Sequence, residues 1–128
     1  MAEKFEAMTK LGLLNSRMKD FYDLWLLARQ FDFDGPTLAT AIRRTFANRE
    51  TVVLSRPTVL TAAFGSDAAK QAQWQGFLKR TKLGHVPTDL QDVVDVLVPF
   101  LSSVAEAVER GVSFDPRWVG PGPWQSAG

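Results

Sequence analysis

The chain has 128 residues, 45% of them hydrophobic and 23% charged, which leaves room for one domain with one core and excludes wholesale disorder. It has no cysteine and one histidine, His85, which excludes disulfides, thiolate metal sites, a cysteine nucleophile and any multi-histidine metal site. The net charge of +1 hides an uneven distribution, with eight Lys/Arg against two Asp/Glu in residues 43–82 and two against six in residues 83–128.

The elements read as helix after helix. Phe5, Met8 and Leu11 recur at helical spacing over residues 3–11, and Gly12 with Asn15–Ser16 punctuates, Ser16 being placed to cap the next helix. That helix, about residues 17–30, carries Phe21, Leu24, Trp25, Ala28 and Phe31 at i, i+3, i+4 and i+7 spacing. Asp34-Gly35-Pro36 is a helix start, and the helix after it buries Leu38, Ile42 and Phe46. Thr51–Leu54 is short and β-branched, either an extended connection or a lone strand. A short helical piece runs from Pro57 to about Gly65, and Ser66 is expected to cap a helix over 67–82 with Trp74, Phe77 and Leu78 as its core stripe. Thr88 and Gln91 have capping-box spacing at the start of the last helix. Its seam is Leu90, Val94, Leu97, Leu101, Val104 and Val108, with a kink expected at Pro99 and a stop at Gly111. Residues 112–128, with three prolines and Trp118 and Trp124, read as an irregular tail docked by its tryptophans. The expected fold is all-α: one domain over 1–128, a bundle of five or six helices with Phe21, Leu24, Trp25, Trp74, Phe77, Leu97 and Leu101 deepest.

No complete active site is legible. Asp32-Phe33-Asp34 has the D-x-D form of a metal pair, but it precedes Gly-Pro and reads as a turn plus helix cap. Asp20 and Asp23 share one helix face, where they could hold a cation or position a base, or pair with Arg17 and Lys19. His85 follows Gly84 in a loop and reads as exposed and idle, and the glycines form no phosphate-cradling loop. Arg43, Arg44, Lys70, Lys79, Arg80 and Lys82 are the candidate contacts to nucleic acid, with a solvated, salt-bridged face as the competing reading. No apolar run approaches the roughly 18 residues of a membrane span, and the first residues hold no signal-peptide core, so a cytoplasmic setting without membrane contact is expected.

Ala2-Glu3-Lys4-Phe5-Glu6-Ala7-Met8, followed by Arg17-Met18-Lys19-Asp20-Phe21-Tyr22-Asp23-Leu24, resembles the C-terminal part of the AbiEii/AbiGii-type nucleotidyltransferase toxins of type IV toxin–antitoxin and abortive-infection systems. The likeness continues through Ala41–Phe46, Leu60–Thr61, Ala69–Gln71, Gln73-Trp74 and Phe77-Leu78 to the Trp118–Trp124 tail. The resemblance implies that Lys4, in an E-K-x-x-A element, contacts nucleotide phosphate. It makes Asp20, or failing it Asp23, the catalytic carboxylate of the R-x-K-D-x-x-D element, supported by Arg17. It also implies an α/β core, N-terminal to these elements, with a Gly-Gly/Ser motif and a D-x-D pair that hold Mg²⁺ and a nucleoside triphosphate. Nothing in the 128 residues matches that core, so the chain alone is expected to lack a metal site and to be inactive, as the truncated C-terminal helical half of such a toxin. The alternatives are a half-enzyme complemented in trans by an N-terminal nucleotidyltransferase polypeptide, or a helical module binding RNA or protein. A cognate antitoxin is the implied partner, and self-association is expected to cover any apolar surface left beside the first two helices.

Overall fold

The computed structural model describes residues 1–14 and 17–126. Among them the helices are α1 (Ala2–Leu11), α2 (Met18–Gln30), α3 (Gly35–Asn48), a short α4 (Ala62–Gly65), α5 (Ala68–Thr81), α6 (Leu90–Leu97) and α7 (Ser103–Arg110). A π turn, Val98–Ser102, joins the last two into one helical run, so the expected predominantly all-α class is what the chain adopts. The last helix passes Pro99 through this π turn. Proline has no N–H for the ordinary ladder, and the wider turn absorbs the defect.

Apolar stripes dictate the packing. α1 lies on α3, α2 on α6 and α3 on α7, while α5 borders α2, α4 and α6. Phe5 meets Phe46 at 5.4 Å between ring centres, and Phe21 stacks on Phe64 at 5.4 Å. All seven side chains expected to lie deepest are buried, although Trp25 and Phe77 keep 6% exposure. Phe31 is 52% exposed because α2 has ended before it, and Leu11, at the end of α1, is 36% exposed. Residues 51–54 form an extended connection without strand pairing.

Three local expectations give way. Asp67, not Ser66, caps α5 by accepting from the Lys70 N–H at 3.0 Å. The Ser66 hydroxyl is already donated to Ala62 O at 2.6 Å, closing α4. Asp89, not Thr88, caps α6 by accepting from the Gln91 N–H at 2.8 Å, and Gln91 reaches forward to Asp95 at 2.7 Å instead of completing a capping box. In both places a charged carboxylate takes the orphan N–H ahead of a neighbouring hydroxyl. Ser16, the expected cap of α2, lies outside the described residues.

The third correction concerns the tail, which is more regular than expected. Arg117–Trp118 (β2) pairs antiparallel with Phe33–Asp34 (β1) on one side and Trp124–Gln125 (β3) on the other. Trp118 is 1% exposed and donates its indole N–H to Ala28 O at 2.6 Å, while Trp124 donates to Phe100 O in the π turn at 3.0 Å. Gly35 N–H donates to Pro116 O at 2.9 Å, and a Cβ at Gly35 would come within 2.1 Å of that oxygen, so only glycine admits this approach.

Truncating Trp74 or Leu97 to alanine removes a fully buried side chain from the α5 or α6 seam, and each should cost about 3 kcal/mol or more. Urea unfolding followed by circular dichroism checks this, and a loss under about 1 kcal/mol would place these residues outside the core.

Candidate functional site

The polar cluster between α1 and α2 is built by helix geometry. Asp20 and Asp23 are three residues apart and so lie on one face of α2. The apolar side of α1, through Phe5 and Met8, is fixed in the core, and this turns Lys4 toward that face. Lys4 Nζ donates to Asp20 Oδ1 at 3.2 Å and lies 2.9 Å from Asp23 Oδ2. Arg17 Nε lies 3.1 Å from Asp20 Oδ2, which receives no well-aligned hydrogen bond among the described residues. Lys19 donates to Asp23 Oδ2 at 2.9 Å. The four residues singled out from the two sequence elements therefore meet at one place, joined by Lys19.

Burial is graded across the cluster. The side chains of Asp20 and Asp23 are 5% and 20% exposed, Lys4 34% and Arg17 58%. Hydrogen bonding to Asp23, and then to Asp20, holds the Lys4 ammonium above its ordinary value against the opposing effect of burial. Burial pushes the Asp23 carboxyl up, but the hydrogen bonds from Lys19 and Lys4 outweigh it and leave Asp23 below the ordinary value. Lys4 is thus a fixed, fully protonated cation at neutral pH.

Three cations surround two carboxylates here, which leaves no excess negative charge to attract a divalent metal. Among the described residues no group of three or more His, Cys, Asp or Glu could hold one. Mg²⁺ therefore does not fit this donor set by itself, whereas the surplus positive charge suits a phosphate. Asp34, half of the D-x-D form, caps α3 by accepting from the Thr37 N–H and hydroxyl. Asp32 accepts from Gly120 N–H at 3.1 Å and lies 3.8 Å from Arg117, so this pair serves the fold.

The basic residues of the middle of the sequence are divided between two helices. Arg43 and Arg44 are exposed on α3, while Lys79, Arg80 and Lys82 are exposed at the end of α5, a helix with different packing partners. Lys70 is not available as a surface contact. It is 6% exposed, approaches Gln73 Oε1 at 3.4 Å and sits over the Phe64 ring.

One buried polar group escaped the sequence reading. Glu6 is 2% exposed and accepts from Arg49 Nη1 at 2.9 Å and Thr51 Oγ1 at 2.6 Å, tying α1 to the end of α3. Burial raises its pKa, and the bonds from Thr51 and Arg49 more than reverse that, leaving it below the ordinary value of 4.5. His85 is exposed in the loop after α5, and among the described residues no helix is long and apolar enough to cross a membrane.

The family model described as nucleotidyl transferase AbiEii toxin, type IV TA system, matches residues 1–96. That span contains the whole Lys4–Asp20–Asp23 cluster and the Glu6 clamp. No curated protein and no solved structure matches the chain.

Because the folded state holds Glu6 and Asp23 below their unfolded values, their contribution is complete above the ordinary carboxyl range and is lost as pH falls through the lowered values. Stability should therefore decline below about pH 4.5, and Glu6→Gln should flatten that decline while costing about 1–3 kcal/mol at neutral pH. Urea unfolding as a function of pH reads both effects, and an unchanged acid limb in the variant would contradict the assignment.

Proposed function

The chain belongs to the AbiEii nucleotidyl transferase toxin family of type IV toxin–antitoxin systems, and on that premise we propose that its helices supply one side of a nucleotidyl-transfer site. Lys4 carries positive charge to the nucleotide phosphates, Asp20 is the catalytic carboxylate, and Asp23 and Arg17 hold the two in place. The observation that supports this reading most strongly is the bridge from Lys4 Nζ to both Asp20 and Asp23. It joins two sequence elements 16 residues apart that the family resemblance assigns to the same site. Charge builds on phosphoryl oxygens during transfer, and a preorganised ammonium stabilises it at no reorganisation cost. Lysine suits the role as a mobile point charge on a long stem.

The metal and the remaining phosphate contacts come from a Gly-Gly/Ser and D-x-D core, for which these 128 residues offer no counterpart. By themselves they transfer no nucleotide. Exposed Leu11 and Leu14, at 36% and 86%, lie just ahead of Arg17 in sequence and suit an apolar margin against such a core. The family also implies a cognate antitoxin as partner.

The test is incubation with labelled nucleoside triphosphates, magnesium and bulk tRNA, with and without the N-terminal domain of a family member. The expected result is no labelling by the 128 residues alone and labelling once the domain is supplied, abolished by Lys4→Ala and by Asp20→Asn with helicity retained. Robust labelling by the chain alone, or full activity of both variants in the reconstituted pair, would contradict the proposal.

A further inference from the structure

Residues 51–54 run between α3 and α4 as an extended segment. Exposure alternates along it: Thr51 and Val53 are half-buried, while Val52 and Leu54 are 73% and 44% exposed. Two apolar side chains on the outer face of an unpaired extended chain make a strand edge. We propose that two copies of this chain associate by pairing residues 51–54 antiparallel about a two-fold axis at Val53.

The backbone says which edge is free. Thr51 N–H donates to Phe46 O at 2.9 Å, its hydroxyl donates to Glu6 at 2.6 Å, and Val53 packs against the core. The segment is therefore held on one face and along one edge. In an extended chain the polar groups of alternate residues point to the same edge, so Val53 shares the edge that Thr51 turns towards α3. Val52 and Leu54 present theirs along the opposite edge. Among the described residues, no N–H or C=O of Val52, Val53 or Leu54 has a hydrogen-bond partner. Edges that stay solitary are commonly blunted by a lysine or a proline, and Thr51-Val52-Val53-Leu54 contains neither.

The segment is complementary to itself. An antiparallel pair centred on Val53 sets Val52 opposite Leu54 of the second copy, and Leu54 opposite its Val52. Each such pair exchanges both backbone hydrogen bonds, so every free group of the outer edge finds a partner. Centring on Val52 or Leu54 leaves half of them unpaired, because Glu50, at φ 55°, and Arg56, in a bend, lie outside the extended stretch. The exposed valines and leucines of the two copies then form one cross-strand apolar layer. The flanking charges agree. Glu50 and Arg56 are exposed, and neither has an ion-pair partner among the described residues. An antiparallel pair brings Glu50 of each copy to the end that holds Arg56 of the other, whereas a parallel pair sets like charges side by side. This match of register and charge selects a second copy over an unrelated strand. So short a pair buries well under the roughly 1,200 Å² of a standard stable interface, so the dimer is a weak one. The pairing does not depend on nucleotidyl transfer.

The test is sedimentation equilibrium of the full chain from about 10 μM to about 1 mM, with amide hydrogen exchange followed by NMR at both ends of that range. The expected result is a monomer–dimer equilibrium with Kd on the order of 0.1 mM. Exchange at high concentration should slow at Val52 and Leu54 and not at Val53, and this needs no variant to fold. Val52→Lys, at an exposed side chain, should raise Kd about tenfold, whereas Leu14→Ser, at another exposed apolar position, should leave it unchanged. Glu50→Arg should weaken association about threefold, and adding Arg56→Glu should restore it by exchanging the two charges. A chain that stays monomeric at about 1 mM would overturn the proposal. So would a dimer that survives Val52→Lys, is lost in Leu14→Ser, or leaves the Val52 and Leu54 amides in free exchange. A double variant no tighter than Glu50→Arg, with helicity retained, would overturn the antiparallel register.

Discussion

The ammonium of Lys4 sits between two carboxylates of the neighbouring helix, 3.2 Å from Asp20 and 2.9 Å from Asp23, and this contact decides how α1 meets α2 in the polar part of their crossing. Asp20 is almost wholly buried, and a buried carboxylate without a cation would be strongly unfavourable. Arg17 and Lys19 share the compensation, so the charge of Lys4 is not fully consumed within the cluster. The same arrangement that satisfies Asp20 therefore leaves a protonated, oriented lysine at a surface edge.

That lysine is held from both sides of its helix. Phe5 and Met8 lock the apolar face of α1, with Phe5 against Phe46 of α3. Glu6, two residues after Lys4, is clamped by Arg49 and Thr51 beyond the end of α3. α2 is secured at its far end by the tail, where Trp118 takes the Ala28 carbonyl and Gly120 approaches Asp32. Both ends of the α1–α2 pair are thus anchored to parts of the chain distant in sequence.

Much of this was legible from residues alone, for physical reasons. Helical spacing of Phe21, Leu24, Trp25 and Ala28 marks a buried stripe, and Asp34-Gly35-Pro36 marks a helix start because proline at the first turn loses no hydrogen bond. The shared face of Asp20 and Asp23 follows from their spacing, whereas their junction with Lys4 spans two helices and came only from the family resemblance. Glu6 was missed because local pattern reads it as an ordinary acidic surface residue, and its partners lie 43 and 45 residues away. Lys70 was misplaced on the surface for a related reason, since its burial against Phe64 depends on how α4 and α5 pack. The small sheet was invisible because each of its strands is two residues long and gains its stability from the docked tryptophans.

The central claim is that two carboxylates hold Lys4 as a positioned cation, and nitrogen-detected NMR titration of its ammonium measures this without any substrate. The account predicts that Lys4 ionises above its ordinary value of 10.5 and that Asp23→Asn lowers it. A Lys4 that titrates at or below 10.5, unchanged by that substitution, would mean the bridge does not form and would remove the basis for placing phosphate there.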